Sequence, residues 1–300
     1  KTTLFHVSDT GQDWLFLQSH HVVSDFSSRQ LLADELESVL RQRPLPQLPW
    51  QYADFAAWEA SWLEGEEANA QRRFWANNLE GARRLQLGRR TSYRGARVQR
   101  SFNQASDLPH LHLAVLALVL WQFCEVRDLC VGLPVSRRTR PELQPLIGCL
   151  INTVLVRLRL DPELSFRDWA GKVREACLEA VAHSQLPLEE VPQVRAATPV
   201  PFQMPLCSVT LNHLPETPSG RWLGQRVHYG RALTELAFEV DPVRRVIELE
   251  YASDLFSERE ADGLLSDFAR YFEAASAAPE ARLEELRDQV QHTLVETFSR

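Results

Sequence analysis

Ser19-His20-His21-Val22-Val23-Ser24-Asp25-Phe26 is the stretch around which the chain is organised. It follows the strand-like run Trp14-Leu15-Phe16-Leu17-Gln18 and precedes a helix predicted to open at Ser27 or Ser28, where Ser27-x-x-Gln30 has the form of a capping box. Two adjacent histidines and a nearby carboxylate at a strand-to-loop junction form a set that can perform acid–base chemistry. An imidazole titrates near neutrality, so it can take a proton from an amine or hydroxyl nucleophile, or hold one in place. Asp25 can fix the ring's surroundings by a hydrogen bond or an ion pair. Paired histidines also serve structural ends, and this stretch alone does not separate the two uses.

Outward from it, Leu4 to Leu17 reads as a hairpin turning at Asp9-Thr10-Gly11. The helix after the histidines places Leu31, Leu32, Leu36, Val39 and Leu40 on one face and stops before Pro44-Leu45-Pro46. Residues 52 to 80 give two helical stretches broken near Gly65, whose aromatics (Phe55, Trp58, Trp62, Phe74, Trp75) read as core. A polar, arginine-rich passage over 82–105 carries a weak strand signal at Arg97 to Phe102 and reads as a lobe crossing. A buried helix is expected over 107–125, then strands at Leu129–Val135 and Leu150–Leu160. Ser165-x-x-Asp168 caps a further helix that ends at His183-Ser184-Gln185-Leu186-Pro187. Strands are expected near 205–213, 221–229, 234–240 and 245–252, and Ser257-x-x-Glu260 caps a last long helix. Mixed strands and helices without strict alternation give an α/β (α+β) class.

Three hundred residues can bury a substantial core, and the length suggests two lobes. A net charge of -7 and scattered arginines argue against a nucleic-acid or anionic-membrane partner. Cys124, Cys130, Cys149, Cys177 and Cys207 are widely spaced, odd in number and mostly in apolar runs, the pattern of reduced thiols in a cytoplasmic protein. The apolar run Leu111 to Phe123 is too short to span a bilayer and contains His112, and Lys1-Thr2-Thr3-Leu4 shows no signal-peptide core. His20, His21 and Asp25 lack the paired-histidine spacing of a zinc hydrolase, and the chain has no G-x-S-x-G elbow or P-loop.

Several stretches then agree, in order, with one family. The chain resembles the condensation domain of nonribosomal peptide synthetases, within the chloramphenicol-acetyltransferase-like superfamily. Its HHxxxDG signature corresponds to His20 through Asp25, with Phe26 in place of the glycine. Tyr52-Ala53-Asp54-Phe55-Ala56-Ala57-Trp58 is similar to YxDYxxW, and Phe74-Trp75 through Leu79-Glu80-Gly81-Ala82 to YWxxxLxGA. Gly132-Leu133-Pro134-Val135 with Arg138 resembles GxPxxxR. Ile147-Gly148-Cys149-Leu150-Ile151-Asn152-Thr153 resembles IGxFxNT, His183 to Glu189 resembles HQDLPFE, and Tyr251 to Phe256 resembles YxxDLF.

The resemblance implies two acetyltransferase-like lobes in a V around a central tunnel. Expected boundaries are 1–85 for the remainder of the N-terminal lobe, 86–282 for the C-terminal lobe and 283–300 for a linker or tail. It implies that His21 is catalytic, positioning or deprotonating an acceptor amine that attacks a donor thioester. His20, Asp25 and Arg138 support it, Asp25 through a bond to Arg138 that holds the loop. Ser24, Phe26 and Asn152 line the motif or tunnel, Asn152 equally readable as strand packing. His183, at a helix end, reads as a cap. Donor and acceptor carrier proteins are the implied partners, with no nucleic acid and no membrane. No cofactor is bound, because the substrates ride on the carriers' phosphopantetheine.

Two departures stand out. A phenylalanine at the glycine position either strains the loop, narrows access to His21 or reshapes the acceptor side. The family's SxAQxRxW and RHxxLRT stretches have no counterpart, so a separate chain or segment is expected to complete the first lobe. The leading expectation is an acyltransferase forming an amide or ester in nonribosomal peptide or hybrid polyketide biosynthesis. The alternative is a catalytically silent condensation-like domain that docks carriers or recruits a tailoring enzyme. A free-standing acyltransferase using acyl-coenzyme A shares the HxxxD core but is opposed by the motifs at 147–153 and 183–189.

Overall fold

The structure, a computed structural model, describes residues 1–102, 108–214 and 230–298. The chain divides into two compact units: Lys1–Glu67 with Ser136–Asn152, and Ala68–Val135 with Thr153–Arg300. This division differs from the expected boundaries at 85 and 282. Residues 136–152 belong with the first unit because Arg138 and the apolar residues Leu143, Leu146 and Leu150 are buried against it.

In the first unit, β1 (Thr2–Val7) and β2 (Gln12–Leu17) form an antiparallel hairpin in the register Thr2↔Leu17 to Val7↔Gln12. Its turn ends at Gly11, whose φ of 63° suits glycine. A single 3-10 turn, His21–Val23, leads into α1 (Phe26–Leu40), followed by α2 (Tyr52–Leu63). The capping box expected at Ser27 is not used. Helix α1 starts one residue earlier, at Phe26, because the Asp25 carboxylate accepts from the Ser28 amide at 2.7 Å and caps it. The unit's core is small: Phe55, Leu143, Leu146 and Leu150, flanked by Leu48, Trp50 and Trp58.

The second unit begins along α3 (Glu66–Asn78) and continues with β3 (Gly95–Ser101), α4 (Pro109–Cys124), β4 (Asp128–Ser136), β5 (Ile151–Arg159), α5 (Phe166–Ala182) and the short α6 (Pro192–Ala196). It closes with β6 (Val209–His213), β7 (Leu236–Asp241), β8 (Val246–Ala252), α7 (Glu258–Ala277) and α8 (Leu283–Phe298). The sheet order is β3-β8-β7-β6-β4-β5, with β4–β6 and β6–β7 parallel and β3–β8 and β7–β8 antiparallel. Strand β6 starts later than the expected 205, since Leu206 adopts a φ of 58° that breaks extended pairing. The strand expected at 221–229 lies outside the described residues.

Helix α4 is buried from His112 to Trp121 without interruption, as its unbroken apolar run dictates. Helix α7 is amphipathic instead, with Leu264, Leu265, Phe268 and Phe272 buried, and it contacts β3 and β8. The tail is not a free linker over its first turns: Leu283, Leu286 and Val290 are buried, and α8 contacts α7 and α4.

A histidine sits inside this apolar core. His112 is 0% exposed, and neither ring nitrogen has a hydrogen-bond partner among the described residues. Its neighbours are the rings of Phe102, Phe268, Phe272 and His213. Burial, helped by the neighbouring His213 and His110, holds its pKa down at about 3 from the ordinary 6.5. The unfolded chain therefore binds a proton that the folded chain refuses, so stability falls as pH drops from 6.5 towards 3. Between pH 7 and pH 5 this one group is expected to cost about 2 kcal/mol. Urea titrations at both pH values test it: His112→Leu should flatten the pH dependence by about that amount, and an unchanged slope would refute the account.

Candidate active site

Strand β2 delivers the chain to the histidine pair, and the two rings are used differently. His20 caps the 3-10 turn: its Nδ1 accepts from the Val22 amide at 3.1 Å, which commits that nitrogen to the backbone. The Ser24 hydroxyl closes the other end of the turn against Ser19 at 2.6 Å. His21, the first residue of the turn, is exposed, with its Nδ1 3.6 Å from the Cys149 sulfur. Its ring is thus open to solvent, while that of His20 shapes the backbone.

Beneath the turn lies a buried ion pair. Arg138 donates from Nη2 to both Asp25 oxygens, at 2.9 and 3.0 Å, with Asp25 at 2% and Arg138 at 7% exposure. The same carboxylate accepts from the Ser28 amide and hydroxyl, each at 2.7 Å, and from the Leu150 amide at 3.0 Å. Arg138 spends Nη1 on the carbonyls of Leu143 (2.8 Å) and Leu146 (2.6 Å). Ser28 also meets Gly148 twice: its single hydroxyl proton is shared between Asp25 and the Gly148 carbonyl, 2.8 Å away, and its oxygen accepts from the Gly148 amide at 3.0 Å. Burial alone would raise the Asp25 pKa, but the bonds from Ser28, Arg138 and Leu150 outweigh it and hold the carboxyl below its ordinary 3.8. Asp25 therefore stays ionised and does not shuttle protons near neutrality.

Around this pair, Arg137 binds Glu59 and lies 5.2 Å over the Phe55 ring. Tyr52 donates its hydroxyl to the Cys149 carbonyl at 3.0 Å, and its ring passes so close to Gly148 that a Cβ there would lie 2.1 Å from it. Only glycine admits that approach. Asn152 is buried on β5, two residues beyond the Leu150 amide that binds Asp25.

Phe26 does not strain the loop. It is the first residue of α1 with an ordinary helical backbone, and its ring lies under the Arg29 guanidinium at 5.7 Å. A left-handed angle, the usual reason for glycine, is not required at this position. His183 belongs to the second unit, where it ends α5, bonds the Glu179 carbonyl from Nδ1 at 2.8 Å and stacks on Phe74 at 3.5 Å. Its carbonyl accepts from the Trp75 indole at 3.1 Å, so its work is structural.

Reading the chain alone missed Ser28, Gly148, Tyr52 and Cys149 as parts of this arrangement. Ser28 had a visible signal, since Asp25-x-x-Ser28 is itself an N-cap spacing. The others are brought together only by folding, with Tyr52 and Cys149 separated by 97 positions. Among the described residues no cluster of three or more His, Cys, Asp or Glu could hold a metal ion, and no helix is long and apolar enough to cross a membrane.

The site is thus an exposed imidazole on a turn anchored by a buried Asp–Arg pair, in a mixed α/β chain. The chain belongs to the condensation-domain family: the family model for the condensation domain matches residues 1–293. It is 31% identical over 315 residues to a linear gramicidin synthase of Brevibacillus parabrevis, covering 89% of this chain but 4% of that protein. Phosphinothricin tripeptide synthetase PhsC of Streptomyces viridochromogenes is 34% identical over 207 residues, covering 59% of this chain and 19% of that protein. The chain thus spans a small fraction of these curated relatives.

Among solved structures it matches the X-domain of teicoplanin biosynthesis in complex with OxyB, with a TM-score of 0.81, 25% identity, and coverage of 95% of this chain and 72% of that one. It also matches the condensation domain of the monacolin K polyketide synthase MokA, with a TM-score of 0.80, 18% identity, and coverage of 91% and 72%. The fold is the chloramphenicol-acetyltransferase-like fold of these neighbours.

Breaking the ion pair by Arg138→Ala leaves a buried carboxylate without its cation and is expected to cost about 3–5 kcal/mol. The double variant Asp25→Asn, Arg138→Met should cost clearly less, and chemical denaturation compares the two. Because the folded pKa of Asp25 is depressed, its contribution is present above the unfolded value near 3.8 and is lost as pH falls through the folded value. Asp25→Asn should remove that acid-limb dependence, measured as the change in denaturation midpoint below pH 4.

Proposed function

We propose that the chain is an active condensation catalyst, joining a carrier-bound acyl or peptidyl thioester to a carrier-bound amine or hydroxyl acceptor in nonribosomal peptide or hybrid polyketide assembly. The observation that carries this reading is the exposed His21 ring, four residues from a buried Asp25–Arg138 anchor. A base must be reachable and held; here exposure supplies the first and the anchored turn the second. His20 and Ser24 support that geometry, Phe26 is accommodated by the helix start, and Asn152 is assigned to the same motif by its place on β5.

In the step itself the acceptor nitrogen adds to the thioester carbonyl carbon, and the bond to the pantetheine sulfur breaks. His21 holds or accepts the proton lost by the amine, and that proton returns to the departing thiolate. Asp25 remains a positioning residue. Holding two tethered substrates together supplies much of the rate, since their encounter becomes effectively intramolecular. No resident metal or nucleotide enters the proposal, because pantetheine arrives with each substrate. The carriers are the proposed partners and the cytoplasm the proposed location.

A second reading has one specific support: the likeness to an X-domain solved in complex with OxyB. On it, the chain docks partners without catalysing condensation. A single-turnover assay with an acyl-S-pantetheinyl carrier and an amine acceptor separates the two. Catalysis predicts condensed product that falls by about a hundredfold or more in His21→Ala. No product from either protein while carriers still bind favours the docking reading, and equal product from both would overturn the role given to His21.

A further inference from the structure

Cys149 is the one thiol of this chain placed against a histidine among the described contacts, and its position is not accidental. Both of its chain neighbours are tied to the buried anchor, Gly148 through Ser28 and Leu150 through Asp25. Its own carbonyl accepts from Tyr52 at 3.0 Å. His21 is held from the other side, on the turn that runs into the same Asp25. One buried network thus sets both the sulfur and the imidazole, and brings Sγ to 3.6 Å from Nδ1, within reach of a sulfur hydrogen bond.

The cysteine is half-buried and forms no disulfide, so a small acyl group can approach it beside the exposed His21 ring. The other thiols lack this setting. Burial pushes Cys130 and Cys207 up to about 12 and Cys124 and Cys177 up to about 11, which makes them poor nucleophiles near neutrality. A thiol in contact with an imidazole has beside it a base that can take its proton.

We propose that Cys149 and His21 form a nucleophile–base pair that takes an acyl group from a thioester onto the protein. His21 Nδ1 accepts the Cys149 proton, and Sγ adds to the thioester carbonyl carbon. The tetrahedral adduct collapses with cleavage of the original carbon–sulfur bond, and the imidazolium proton passes to the departing thiolate. The products are an acyl-Cys149 thioester and one free thiol. No oxidant, reductant or further reactant is needed. The pair itself stands on contacts within one structural unit. The choice of a thioester as substrate class rests on the condensation reading, so the test has an arm independent of it.

The first arm measures iodoacetamide labelling of the purified protein by peptide mapping from pH 5 to pH 9. Cys149 should be labelled at least about tenfold faster than the other thiols at pH 7, and His21→Ala should slow it at least about tenfold and move its pH profile upward. The second arm incubates the protein with an acyl-N-acetylcysteamine thioester, following intact mass and released N-acetylcysteamine. One acyl group per chain, mapped to Cys149, absent in Cys149→Ser and slowed in His21→Ala, is the expected result. No acyl group on Cys149, or acylation at an unchanged rate in His21→Ala, would overturn the proposal. So would rapid alkylation without acylation, because the transfer step would then be missing. Condensation is read separately: product made by the native protein and lost in His21→Ala leaves the condensation reading intact whichever way the acylation arm falls.

Discussion

The buried pair of Asp25 and Arg138 is the constraint on which the first unit depends. Taking a carboxylate and a guanidinium out of water is costly unless both are hydrogen-bonded almost completely. Here the carboxylate collects donors from Ser28, Arg138 and Leu150, and the guanidinium reaches the carbonyls of Leu143 and Leu146 as well. These bonds have directions, so they prescribe where the start of α1 and the segment 136–152 must lie. An apolar patch of the same area would attract the two without fixing them. With a core as small as that around Phe55, the direction comes chiefly from the polar network.

The histidines show how environment assigns chemistry to one side chain. His20 and His183 satisfy backbone groups at the ends of a turn and a helix. His112 is sealed among aromatic rings and kept neutral by burial. Of these, His21 is exposed, makes no ring bond to the backbone among those described, and is set against a thiol. Its usefulness follows from what its neighbours leave open. The Asp25 carboxylate beneath it stays ionised across the neutral range, so that half of the anchor does not weaken there.

Much of the fold was legible because its signals are local. The hairpin turn at Gly11, the caps at Ser165 and Ser257, and the unbroken apolar run of α4 each follow from a few neighbouring residues. The family was legible from motifs in order, and Asp25 with Arg138 from two of them. Local rules also misled where two competed: Ser27 offered a capping box, but Asp25 was the stronger cap because its carboxylate already had a buried cation to hold it. The tail from 283 looked polar enough for a linker, yet three spaced apolar residues suffice to dock it.

The sequence by itself determined most of the elements, the fold class and the family, because periodicity, capping and motif order are properties of short stretches. Tertiary structure decided which of those residues meet. Arg138 lies 113 positions from Asp25, Tyr52 lies 97 from Cys149, and His21 lies 128 from Cys149. No local preference encodes such distances; they arise when burial of Phe55, Leu143, Leu146 and Leu150 closes the long connection and the directional bonds of the ion pair set its register.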